Sequence, residues 1–205
     1  MASWEPVSAA ISSRRSVRRF APRPVAAGVI DNLVLLACAA PAPHHSRPWR
    51  FVTLPNRDAR ERLADSMADA WRADLQPAGR SVHDIQKLLL RSRAQIMDAP
   101  ALLLACLVLE DAHRWPDQRR RTAERDMFLQ SLGAALQNIL LAAAERGLAG
   151  YLKGAPLFCA DAVRRALDLP AGWQPSFLVL LGYPAAGLSL PARRDLTLDD
   201  FLLER

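Results

Sequence analysis

Lysine is nearly missing from this 205-residue chain: Lys87 and Lys153 are the only two among 27 basic residues, the other 25 being arginines. A skew of that kind arises from compositional bias alone, so the net charge of +6 is weak evidence for a nucleic-acid partner. Cysteine is also scarce. Cys38, Cys106 and Cys159 are odd in number, far apart and form no CxxC pair. They support neither a zinc cage nor a disulfide framework, and a reducing cytoplasm fits them. The nine glycines make no GxxxxGK[ST] and no GxGxxG; Gly147, Gly150 and Gly154 are spaced GxxGxxxG. A GxSxG elbow and HExxH are missing too. The four histidines, His44, His45, His83 and His113, stand without acid or thiol partners at metal-ligand spacing, so no metal site is expected. No apolar run reaches the ~20 residues that a spanning helix needs. The opening Met1-Ala2-Ser3-Trp4-Glu5-Pro6 lacks the basic and apolar segments of a signal peptide. A cytoplasmic location without a membrane partner is the expectation.

What is present is ordinary globular material. Apolar residues make up 51% and charged residues 23%, which excludes a disordered chain. The length suits one domain, 1–205, able to bury roughly 70% of its unfolded surface without staples. Charge is unevenly spread. The first fifty residues hold seven arginines against two acids, so five of the six net positive charges fall there. An anion site near the N-terminus is therefore the first expectation.

Apolar spacing predicts helices at about 6–13, 27–39, 57–75, 82–97, 123–146 and 157–168. The helix 123–146 has the strongest period, and Gly147 stops it. Short apolar runs predict strands at about 51–54, 101–109, 150–153 and 176–181, and 101–109 reads as central because it has no polar face. The polar stretch 110–121, with Arg119, Arg120 and Arg121, reads as a loop or lid. Residues 183–205 read as an extended tail that needs something to pack on. No internal repeat stands out. The class is α+β, with one mixed sheet sandwiched by helices.

Two local features carry chemistry. Arg14-Arg15-Ser16-Val17-Arg18 puts three guanidiniums and a hydroxyl at a helix-to-loop junction, where they can bind a phosphate or an anionic ring edge. A solvated basic face is the plainer reading. Aromatic residues are not interleaved as stacking platforms, which weighs against nucleic acid. The second feature is the loop 41–48, whose three prolines suit a rigid wall for a planar ring, with His44 and His45 upon it.

Taken in order, RRSVRRF and then APAPHHSRPWRF resemble the nitroreductase family of flavin enzymes, in which an RRSxRxF-like run precedes an APSxxNxQPWxF-like run. The departures are His45, where the family often has Asn, and Arg47, where it often has Gln. Later pieces match in order: Asp98-Ala99-Pro100, Arg146-Gly147-Leu148, Lys153-Gly154, Leu180-Leu181-Gly182-Tyr183 and Arg193-Arg194. The loop 40–51, Trp71-Arg72-Ala73-Asp74-Leu75, the run from Gln95 to Pro100 and the run from Asp168 to Trp173 are similar to the C-terminal reductase domain of the FbiB proteins of coenzyme F-420 biosynthesis.

The resemblance implies a nitroreductase-like fold, an intertwined homodimer with an extended C-terminal tail, and FMN held at the dimer interface. It assigns Arg14, Arg15, Ser16 and Arg18 to the phosphate and pyrimidine edge. Arg193 or Arg194 adds a phosphate contact, and Gln95 touches the pyrimidine side. Lys153 and Gly154 offer a backbone N–H to flavin N5, while Ala42, Pro43, His44 and His45 of the partner wall the ring. No side chain is named as the proton donor. The FbiB likeness further implies reduction of the C=C bond of dehydro-F-420-0 to F-420-0, an anionic deazaflavin intermediate met by Trp71, Asp74 and Trp115. A separate γ-glutamyl ligase would then be a partner. The alternatives are a general NAD(P)H-dependent nitroreductase or quinone reductase and, from another class, a basic non-enzymatic binding module.

Overall fold

The computed structural model describes residues 5–190, 192, 193 and 195–205, and only the backbone of residues 5 and 6. Six α-helices and four strands are present among them: α1 (Glu5–Ser13), α2 (Ala27–Ala37), β1 (Trp49–Thr53), α3 (Arg57–Leu75), α4 (Val82–Asp98), β2 (Ala101–Val108), α5 (Gln118–Glu145), β3 (Ala149–Lys153), α6 (Ala160–Ala166) and β4 (Trp173–Gly182). The sheet order is β1-β2-β4-β3, and every neighbouring pair is antiparallel. The mixed character expected of the sheet is confined to one isolated parallel bridge, Ser16 to Gly150.

All eight residues of β2 are buried. Their alternation divides the molecule into two cores. Leu103, Ala105 and Leu107 face one way with Val179 and Leu181, against Phe128, Leu132, Leu136 and Ile139 of α5 and Leu33 of α2. Leu102, Leu104 and Cys106 face the other way with Leu178 and Leu180, against Leu63 and Met67 of α3, Ile96 of α4 and Val163 of α6. Each fully buried leucine contributes about 1.5–3 kcal/mol, so both faces of the sheet are strongly specified. The α5 helix is long and apolar enough to cross a membrane by length and composition. Its buried stripe is the wall of the first core, as in any core helix.

Three elements depart most from the sequence expectation. The α5 helix begins at Gln118, because Asp117 caps it by accepting from the Arg120 backbone N–H at 2.9 Å. Arg119, Arg120 and Arg121 therefore form a helical turn and not a lid. The last strand starts three residues early, at Trp173, in spite of Pro175. A bulge between the partners of Ala105 and Cys106 lies there and tolerates the missing N–H. The helix expected at 157–168 is a 3-10 turn at Ala155–Phe158 followed by the short α6. At the end of α5 the expectation holds: Gly147 has φ +69°, and the Leu148 N–H returns to Ala143 O at 2.9 Å.

One buried cation ties the second core together. Arg60 on α3 is only 8% exposed and faces no carboxylate among its bonding partners. Its Nε donates to Leu54 O at 2.6 Å and its Nη1 to Ala99 O at 2.6 Å, with Ile96 O and Met97 O at 3.4 Å. It thus satisfies carbonyls at the C-terminal end of α4, where orphan acceptors and the negative end of the helix dipole meet. Arg60→Met should leave those carbonyls unpaired and lower stability by about 3 kcal/mol, read as the shift in a urea unfolding curve; an unchanged midpoint would contradict this account.

Candidate functional site

The site is built where the segment after α1 docks on the free edge of β3. Ser16 bridges Gly150, and the Val17 N–H donates to Gly150 O at 3.3 Å. A Cβ on Gly150 would lie 2.6 Å from Leu180 O, so only glycine lets β3 sit this close to β4 where the segment attaches. The docked segment borders two cavities. Arg14 and Arg15 line one of about 280 Å³ with Leu140, Leu148 and Leu190. Arg18 and Arg19 line one of about 520 Å³ with Arg91, Gln95 and Asp98.

Arg14 Nη1 is buried and has no hydrogen-bond partner among the described residues. An orphaned charged donor of this kind is costly to keep, by about 1–3 kcal/mol or more, and an anionic ligand oxygen would satisfy it. Arg193 reaches the same place, donating from Nη2 to Arg14 O at 2.6 Å and to Ile11 O at 3.3 Å. Arg194 lies outside the described residues. On the other side, the Arg18 guanidinium sits 5.1 Å from the Tyr151 ring centroid. The Tyr151 hydroxyl is also buried and unpartnered. Burial pushes it up to about 12, against the pull of Arg18 and Arg91.

Lys153 Nζ donates to Gln95 Oε1 at 2.9 Å and lies 5.7 Å from the Trp71 ring centroid. Burial brings its ammonium down to about 8, and the charges of Arg91 and Arg18 push the same way. Among the described residues none of Arg14, Arg18, Arg91, Lys153 and Arg193 forms a salt bridge. Uncompensated cations around buried, unsatisfied polar atoms fit a phosphate-bearing cofactor with an electron-poor ring. Arg91 was not singled out from the sequence. Its signal was its position one helical turn before Gln95, on the same face of α4.

The other expected site residues fall apart from this cluster. Asp74 is exposed, one turn beyond Trp71; burial and the Asp74 charge together raise the Cys159 thiol to about 11. Ala42 and His45 border a cavity with Cys38 and Trp49, and Ala42 and Pro43 another with Met127 and Ser131. Neither shares a lining residue with the arginine cavities. His44 stands edge-on to His113, with ring centroids 4.9 Å apart, and Trp115 lies 5.4 Å from His113 under the Arg120 guanidinium. Trp115 borders neither arginine cavity. Behind these rings Glu124 is buried on α5. It accepts from His113 N and pairs with His113 Nδ1 at 2.6 Å. Burial opposes its charge, but hydrogen bonds from His113 and Trp115 hold the carboxyl below its usual range. Spacing in the sequence pairs no histidine with an acid; the fold pairs His113 with Glu124.

Residues 11–183 match the nitroreductase family. The chain belongs to the nitroreductase family. It is thus an oxidoreductase of the flavin-dependent type. It is 27% identical over 193 residues to an iodotyrosine deiodinase of Danio rerio, a match covering 93% of this chain and 64% of that protein. With an iodotyrosine deiodinase of Haliscomenobacter hydrossis it shares 28% over 192 residues, 87% of this chain and 79% of the relative. The chain therefore spans less than two thirds of the length of the Danio relative. These curated relatives are deiodinases and not FbiB proteins, so the narrower F-420 likeness is carried by the sequence motifs alone. Among solved structures, a BluB-like flavoprotein of Clostridium difficile 630 superimposes with a TM-score of 0.78 at 23% identity, over 97% of this chain and 98% of the other. An NADPH:FMN oxidoreductase of Vibrio harveyi gives 0.67 at 20%, over 95% and 81%. Those likenesses fix the fold.

Lys153 gives the site a pH signature. Its positive charge favours a bound anion and disappears as pH rises through about 8. Affinity for FMN, followed by quenching of flavin fluorescence, should fall roughly three- to tenfold between pH 7 and 9.5. Lys153→Met should bind more weakly at pH 7 and lose the dependence. A flat profile in the unaltered protein would remove Lys153 from the anion field.

Proposed function

We propose that this protein is a cytoplasmic, homodimeric, FMN-dependent reductase of an anionic substrate. The observation that carries the reading is the buried, unpartnered Arg14 Nη1, with Arg193 bonded to its backbone, on a segment whose Arg18 lines a second cavity with Arg91; among the described residues none of these arginines forms a salt bridge. FMN, when bound, would supply the hydride. Arg14, Arg15, Ser16 and Arg193 would hold its phosphate. Arg18, Gln95 and Lys153 would meet the pyrimidine edge, where positive charge favours the negative charge gained on reduction. A backbone N–H of Lys153 or Gly154, at the end of β3, would face the ring. Three free thiols fit a reducing compartment.

The dimer is supported by what the single chain leaves bare. Leu196, Leu198, Phe201, Leu202 and Leu203 are 53–76% exposed in the tail, which a partner subunit would cover. In that assembly Ala42, Pro43, His44 and His45 would wall the partner's ring. The substrate favoured is dehydro-F-420-0, reduced at its C=C bond to F-420-0, with Trp71, Asp74 and Trp115 as its contacts and a separate γ-glutamyl ligase acting on the product. A second reading, reductive deiodination of an iodotyrosine, is favoured by the curated relatives. Turnover of nitroaromatics or quinones with NAD(P)H is the general alternative.

The protein mixed with FMN and desalted should keep a flavin absorption spectrum. Arg14→Ala and Ser16→Ala should lose it while remaining folded by circular dichroism. The reduced holoenzyme should then convert dehydro-F-420-0 faster than iodotyrosine or nitro compounds. Retained flavin with the opposite order would keep the cofactor and replace the substrate; no retained flavin would overturn the proposal.

A further inference from the structure

We propose that His44, His113 and Glu124 form a divalent-cation site of the zinc type, outside the arginine cluster. One ligand atom of each residue lies within 4.8 Å of those of the others. Two imidazoles and a carboxylate are a ligand set that zinc accepts, leaving a fourth position open. Both histidines are exposed in the single chain, so that fourth position is open there. Ligand atoms around such an ion stand about 3.3 Å apart. Assembling the site therefore takes adjustments of roughly an ångström or a little more at the ligand atoms.

The electrostatics favour a cation there. The Glu124 side chain is 4% exposed, and its one ion-pair partner among the described residues is His113. A buried carboxylate depends on a compensating charge, and a cation held between it and the two imidazoles would supply one. The backbone points the same way. His44 and His45 both hold positive φ, 56° and 54°, which non-glycine residues rarely adopt. That turn aims the His44 ring at the edge of His113. An ion bound there would tie the proline-rich loop to the stretch between β2 and α5, two segments far apart in sequence.

The test needs neither flavin nor turnover. Equilibrium dialysis of the full chain against Zn²⁺, with metal analysis, should show one ion per chain. His44→Ala and His113→Ala should each weaken it at least tenfold, and Glu124→Gln comparably. His83→Ala, on the exposed side of α4, should leave it unchanged. X-ray absorption of the zinc-loaded protein should show imidazole nitrogens around the metal. His44 and His113 are exposed, so their variants should retain the fold, which circular dichroism checks. No saturable binding, binding indifferent to both histidine variants, or a metal shell without imidazole would each overturn the proposal.

Discussion

Burial of β2 and β4 on both faces is the constraint from which the rest of this molecule follows. A strand with one wet face tolerates one helical layer; these two need one on each side. The chain meets that demand with α2 and α5 on one face and α3, α4 and α6 on the other. Because side chains alternate with a period of two, a slip of one residue would exchange the two cores, and their shapes do not match. Register is thus fixed by packing, and β1 and β3 are placed at the edges by default. The free edge of β3 lets a further segment attach by its backbone, and the basic run after α1 takes it.

Electrostatics in the site run opposite to those in the core. Arg60 is buried but well bonded, each contact going to a carbonyl with nowhere else to turn. Arg14 and Lys153 are half-buried, and Arg14 keeps an idle donor. The first arrangement is a structural solution. The second is incomplete without an anion, and a ligand present at about a hundred times its dissociation constant would stabilise the fold by about 2.7 kcal/mol. The same polypeptide thus treats two arginines in contrary ways, and the hydrogen-bond inventory tells them apart.

Most of this architecture was legible in the sequence because it is written in local period. The helix 57–75 and the strand beginning at Ala101 were readable from apolar spacing alone. Errors fell where one side chain overruled the pattern: Asp117 turned an arginine run into helix, and a bulge admitted Pro175 to a central strand. The arginine cluster was readable because its residues are contiguous. Arg91 escaped notice although its spacing to Gln95 is a helical repeat. The pairing of His113 with Glu124 and the approach of His44 were beyond reach, since they depend on how two loops meet over the end of α5. Trp115 and Trp71 come together only through the FbiB likeness, and the fold stands Trp115 beside His113.

The clasp between Arg193 and Arg14 has a consequence for how the protein matures. Its two members are 179 residues apart, and the docking edge at Gly150 lies between them in the chain. Loop-closure entropy places such long-range contacts late, after the sheet and its helices have condensed. A chain still emerging from synthesis, or one nicked in its tail, would own a finished core and an unfinished anion pocket. Anion binding there would then report that these distant segments have met.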